Sequence, residues 1–224
     1  MCGRLNMISD PLTALLLETL GQHHVIPTKM NVAPTETIPV LRYESDWSLV
    51  DMRWWLVPSW SAGPSTKFSM FNARSESLLK SRAYREPFTR RRCVIPVSGY
   101  FEWRSMEGRK QPMYFTPADG AGLLLAALWD VWQGPEGPLF SCSIITAAAP
   151  PEMRRFHHRV PVQLSPAELF TWLDLDTSIH ALEDLLQPEL PAPLAVCDVS
   201  SVVNNARNKD ERCLQAISEV EIIH

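Results

Sequence analysis

The chain begins Met1-Cys2-Gly3-Arg4. A small residue after the initiator Met favours aminopeptidase removal of Met1, which would make Cys2 the first residue. A terminal Cys carries two nucleophiles on neighbouring carbons, an α-amine titrating near pH ~8 and a thiol near ~8.5. An amine beside a thiol captures aldehydes. The amine forms a Schiff base, the thiol closes onto the same carbon, and a five-membered thiazolidine results. An internal Cys cannot do this. The chemistry further needs an acid–base group and a place for the aldehyde.

Several segments offer such groups. Gly99-Tyr100-Phe101-Glu102-Trp103 puts a carboxylate among aromatics on an expected strand. Alternation sets Glu102 on the face opposite Phe101 and Trp103. In an aromatic cleft, desolvation would raise its pKa toward an acid–base value; on a half-solvated strand it is an ordinary surface Glu. Phe71-Asn72-Ala73-Arg74-Ser75-Glu76 offers Asn72 as donor and acceptor and Arg74 as a bidentate phosphate partner. Plain helix capping by Ser75 is the alternative there. Phe156-His157-His158-Arg159-Val160-Pro161-Val162 holds a His able to move protons near neutrality, or a surface pair among Arg154, Arg155 and Arg159. In Trp54-Trp55-Leu56-Val57-Pro58-Ser59-Trp60, one of the adjacent pair belongs in the core. Trp60, in a loop, either packs or stacks on an unpaired base.

The cysteines (2, 93, 142, 197 and 213) are odd in number and form no CxxC, which points to a reducing compartment rather than a disulfide framework or zinc site. Cys93 and Cys142 sit in apolar runs and read as buried hydrophobes. There is no HExxH, so no metal is expected. No apolar run reaches the ~18 residues of a membrane span, and no signal peptide is evident. A cytoplasmic, nucleoid-associated protein is expected, neither secreted nor membrane-bound. The net charge is −4. Residues 67–110 nonetheless hold eleven Lys/Arg against four Glu, a local +7, while the remainder is −11. That asymmetry fits a phosphate-binding face on an acidic body, or scattered solvated charges.

The positioning elements follow from pattern. Asp10-Pro11 marks a helix start, Leu12, Leu15, Leu16 and Leu20 give its stripe, and Gly21 ends it. Strands are expected at 38–42, 48–55, 93–97, 100–104, 113–116, 123–129, 140–146 and 194–199, the last of the chain. Residues 104–110 read as a hairpin tip bending at Gly108. Helices are expected near 76–84, 152–156 and 178–186. A further helix runs from the Ser165-Pro166-Ala167-Glu168 capping box to about Leu173. Residues 187–193 form a Pro-rich connector. Irregular strand–helix order predicts an α+β fold with an antiparallel sheet or barrel core flanked by short helices, one domain over residues 1–224.

Together, Met1-Cys2-Gly3-Arg4, Asn31-Val32-Ala33-Pro34, Phe71–Glu76, Gly99–Trp103 and His157-His158-Arg159-Val160-Pro161 resemble, in order, the SOS-response-associated peptidase (SRAP) family. The last motif departs at Val160, where Met or Arg often stands. The resemblance implies an SRAP fold with a positively charged groove for single-stranded DNA. It also implies covalent capture of abasic sites, whose ring-opened deoxyribose is an aldehyde, as a thiazolidine cross-link. By position, Cys2 is then the nucleophile, Asn72 positions its amine, Glu102 is the acid–base residue, and His157 assists ring opening and reversal. Arg4 and Arg74 look like phosphate contacts, and Asn31 lies in a motif that lines the site; Arg159 and Trp60 are expected to join them on the DNA. No cofactor is called for, and any replication-fork partner is unnamed.

Three other readings of Cys2 stand beside this one. The first is a thiol peptidase, perhaps acting only on its own terminus. The second is an N-terminal-nucleophile glutamine amidohydrolase, which usually has Ile where Arg4 stands and carries an Asn-Gly-Glu motif missing here. The third is a DNA-binding module without chemistry.

Overall fold

The computed structural model describes residues 2–106, 108–187 and 189–224. Met1, Glu107 at the expected hairpin tip and Pro188 in the expected connector lie outside the described residues. In chain order come β1 (Arg4–Met7), α1 (Ser9–Leu20), β2 (Lys29–Val32), β3 (Thr37–Tyr43), β4 (Trp47–Trp54) and β5 (Asn72–Arg74). Then follow α2 (Arg85–Arg90), β6 (Arg92–Val97), β7 (Gly99–Met106), β8 (Arg109–Pro117), β9 (Leu123–Gly134) and β10 (Gly137–Ala148). The last are β11 (Arg159–Pro161), β12 (Gln163–Leu164), α3 (Pro166–Leu173), α4 (Ile179–Asp184), β13 (Leu194–Asp198) and β14 (Glu221–Ile223).

The strands form two sheets. In one, β10, β4, β3, β6 and β9 pair in turn, and β9 pairs back to β10, closing a five-stranded barrel. β4 and β5 both run parallel to β10, with Cys142 opposite Trp54 and then Ile144 opposite Asn72. β11 takes the end of the same strand antiparallel, Ala148 opposite Arg159. The other sheet is antiparallel throughout, in the order β14-β13-β8-β7-β1-β2. Here β1 lies between β7 and β2, Arg4 opposite Phe101 and Leu5 opposite Val32. One apolar core joins both sheets, from Leu5 and Phe115 to Val94, Leu125 and Ile144.

Local chemistry explains the elements. α1 buries Leu12 and Leu16 and ends at Gly21, whose left-handed φ of 68° returns its N–H to the Leu17 carbonyl at 2.9 Å. α3 begins with the full capping box: Ser165 accepts from the Glu168 N–H, and Glu168 accepts from the Ser165 N–H. Arg92 is buried inside β6. Its guanidinium donates to the carbonyls of Phe88, Thr89, Trp172 and Asp174, tying the C-terminal ends of α2 and α3 to the barrel. Gly99 opens β7 because a Cβ there would lie 2.3 Å from the Phe115 carbonyl and 2.5 Å from the Tyr114 ring.

Several sequence expectations are corrected. α1 starts at Ser9 with no side-chain cap, so Asp10 is not the N-cap and Pro11 sits third in the helix, where its missing N–H costs nothing. No α-helix spans 76–84. Ser75–Ser77 make one 3-10 turn, the Ser77 hydroxyl donates to the Arg74 carbonyl at 3.2 Å, and the helix waits until Arg85. The 152–156 helix is likewise a 3-10 turn, Pro151–Met153. The strand at 194–199 is not the last, since β14 follows it. The charge asymmetry is partly structural: Arg92 is consumed in the core, Arg91 pairs with Glu86 and Asp130, and Arg104 pairs with Asp198. Cys93 and Cys142 are fully buried, as expected.

Candidate active site

The chemistry-bearing residues converge where the barrel meets the antiparallel sheet. Cys2 leads into β1 and is 1% exposed. Asn72, delivered by β5, donates from Nδ2 to the Cys2 carbonyl at 2.8 Å. Its other amide atom, Oδ1, is buried with no hydrogen-bond partner among the described residues. Glu102, on β7 beside β1, is 4% exposed. His157, just ahead of β11, brings Nδ1 to 3.9 Å from Glu102 Oε1. The same Nδ1 lies 3.0 Å from both the Arg159 nitrogen and the Arg159 carbonyl oxygen, accepting from the first when unprotonated and donating to the second when protonated.

Burial sets the protonation states. It pushes the Cys2 thiol well above its ordinary value, and the Glu102 carboxylate adds to the rise. It also raises the Glu102 carboxyl and lowers His157, leaving the imidazole neutral at pH 7. Exposed His158 lies tilted against His157, centroids 4.3 Å apart and planes at 34°, and repulsion between the two imidazoles as they protonate lowers its pKa. His157 is the member of the pair that lines the cleft.

That cleft, about 410 Å³, is lined by Gly3, Arg4, Glu102, Trp103, Lys110, His157 and Asn204. Asn204 carried no signal in the sequence, and Lys110 only as one of the basic residues of 67–110. Asn204 arrives from the C-terminal segment, and its Oδ1 accepts from Trp103 Nε1 at 2.7 Å. Arg4 is half-buried and stacks over Trp103 at 5.7 Å. Asn31 is fully buried behind it and lines no part of the cleft itself.

The remaining candidates lie apart from this group. Arg74 is exposed at the end of β5. Arg159 is turned onto Glu76 in a bidentate pair at 2.6 and 3.0 Å and onto the Thr146 carbonyl. Those bonds hold the Glu76 carboxyl below its usual range. Trp60 is 51% exposed beside a separate apolar cavity of about 450 Å³ that includes Phe68 and Met70, with the Arg82 guanidinium 4.0 Å from its ring centroid. Among the described residues no group of three or more His, Cys, Asp or Glu could hold a metal ion.

The family model for SOS response associated peptidase (SRAP) matches residues 1–206. This chain belongs to the SRAP family. It is 30% identical over 226 residues to the abasic site processing protein YoqW of Bacillus subtilis, spanning 96% of this chain and all of that one. It is 35% identical over 195 residues to the abasic site processing protein HMCES of Gallus gallus, spanning 75% of this chain and 57% of that one. A solved protein from Bordetella bronchiseptica has the same fold, with a TM-score of 0.77 at 23% identity, covering 89% of this chain and 100% of its own. Another, from Bacteroides thetaiotaomicron, gives 0.73 at 22% identity over 94% and 92%. The mixed α+β architecture of barrel and antiparallel sheet is thus the SRAP fold.

Proposed function

We propose that this SRAP protein senses abasic sites in single-stranded DNA and captures them covalently through Cys2 once Met1 is removed. The observation that carries the reading is the chain of neighbours at the protein's start: Asn72 holds the Cys2 carbonyl, the Glu102 carboxylate acts on the Cys2 thiol, and Glu102 and His157 open together onto one polar cleft. The names of its relatives support the substrate class.

His157 takes the anomeric hydroxyl proton and returns it to the ring oxygen as the C1–O bond breaks, opening the deoxyribose to its aldehyde. The Cys2 amine attacks C1, and Glu102 supplies the proton with which the carbinolamine hydroxyl leaves as water. The thiol then adds to the iminium carbon while its proton passes to the Glu102 carboxylate, closing the neutral thiazolidine and restoring the acid. On this reading Asn72 Oδ1, which has no hydrogen-bond partner among the described residues, accepts from the freed amine beside the Cys2 carbonyl. A buried, high-pKa thiol suits this amine-first order and works against a peptidase that depends on a preformed thiolate. Arg74 and Lys110 supply phosphate contacts, and Trp60 a stacking surface.

Single-stranded DNA bearing one abasic site, incubated with the Met1-processed protein and run on a denaturing gel, tests the reading. A heat-stable shifted band that Cys2→Ala abolishes is expected. Correctly processed protein giving no adduct would overturn it.

A further inference from the structure

Residues 203–208 fold as a strap against β1 and β2, and they present main-chain carbonyls inward. Asn31 sits at the centre, fully buried, with a left-handed φ of 49° that Asn tolerates. Its Nδ2 lies 3.2, 3.1 and 2.9 Å from the carbonyls of Val203, Asn205 and Asn208. Its Oδ1 accepts from Arg4 Nη1 at 2.6 Å. The same Nη1 donates to the Val203 carbonyl at 2.7 Å, and Nη2 to the Asn204 carbonyl at 3.2 Å. Lys209 Nζ closes the knot on the Asn31 carbonyl at 2.9 Å and on Glu36 at 2.5 Å.

Both terminal nitrogens of Arg4 are therefore already engaged by the protein. A guanidinium that grips phosphate uses such a pair in a bidentate fork. Arg4 is two residues from Cys2, and its register with Phe101 sets how the chain end passes Glu102. We propose that Asn31 is a positioning residue, which locks the strap around Arg4 and thereby fixes the strand that presents Cys2 to Glu102. The proposal rests on the abasic-site reading for its functional consequence and on geometry alone for the clamp.

Two variants test it. Asn31→Gly keeps the left-handed backbone and removes only the side chain. Arg4→Lys keeps the charge and loses the fork. At saturating abasic DNA, each is expected to capture at least ~10-fold more slowly than wild type, because small misplacements of reacting groups are expensive. The final yield, the affinity for undamaged single strands and the salt slope of that binding should match wild type. A wild-type rate in folded Asn31→Gly, or a shallower salt slope in Arg4→Lys, overturns the proposal. Hydrogen exchange reads the clamp without DNA. Amides of β1 should exchange at least ~10-fold faster in Asn31→Gly, with those of β6 and β9 unchanged. Unchanged β1 exchange sinks the clamp on its own. Faster β1 exchange in a protein whose wild type forms no adduct upholds the clamp and sinks the abasic-site reading instead.

Discussion

Ionised Glu102 costs the fold stability. Its folded pKa lies above its unfolded one, so the folded state holds the proton more tightly and stability falls as pH rises through that window. Glu102→Gln is therefore expected to raise the melting temperature at pH 7.5 by about 2–4 °C, the effect of ~1 kcal/mol in a domain of this size. The gain should vanish toward acid pH, where the wild-type carboxyl is protonated in both states. The same variant should slow adduct formation by about 10²–10⁴-fold. His157 has the opposite sign: its lowered pKa means that a proton arriving as pH falls removes the base. Capture should slow below the ordinary imidazole range, and His157→Gln should lose that limb of the pH–rate profile. These side chains were legible in the sequence because each sits in a compact local motif. Lys110 and Asn204 were not, and neither was the Arg4–Asn31–Val203 knot, because those partners lie up to 200 residues apart in sequence.

At the scale of elements, β10 is the platform. It carries β5 with Asn72 on one edge and β11, with His157 just ahead of it, on the other, while β7 and β1 bring Glu102 and Cys2 from the facing sheet. β7 can approach this closely only because Gly99 has no side chain. Gly99→Ala must displace the Phe115 backbone or the Tyr114 ring, and a loss of more than ~2 kcal/mol in urea unfolding is expected. The long strands and the capped helices α3 and α4 were readable from alternation and capping residues. β1, β2, β5 and β14 were not, since three or four residues give too short a period to register and pairing alone defines them. The 76–84 stretch misled because its serines prefer turns to helix, a competition that apolar spacing does not reveal.

At the scale of the whole molecule, the basic segment divides into structural and available charge. Arg91, Arg92 and Arg104 serve the fold, whereas Arg74, Arg82, Arg85 and Arg90 are exposed. Binding to single strands should weaken as salt rises. Arg74→Gln and Arg82→Gln should each flatten the log–log slope by about 0.7, and Arg92→Gln should destabilise the protein while leaving the slope intact. The grip of the strap on β1 also sets a clock on biosynthesis. At ~5–20 residues per second, roughly 10–40 s separate emergence of the first residues from that of Asn204. During that interval the nascent end is open to the aminopeptidase while the pocket still lacks a wall. On the proposed capture chemistry, removal of Met1 would then precede completion of the pocket. A ribosome stalled before residue 204 would expose an amine and a thiol without the geometry to use them.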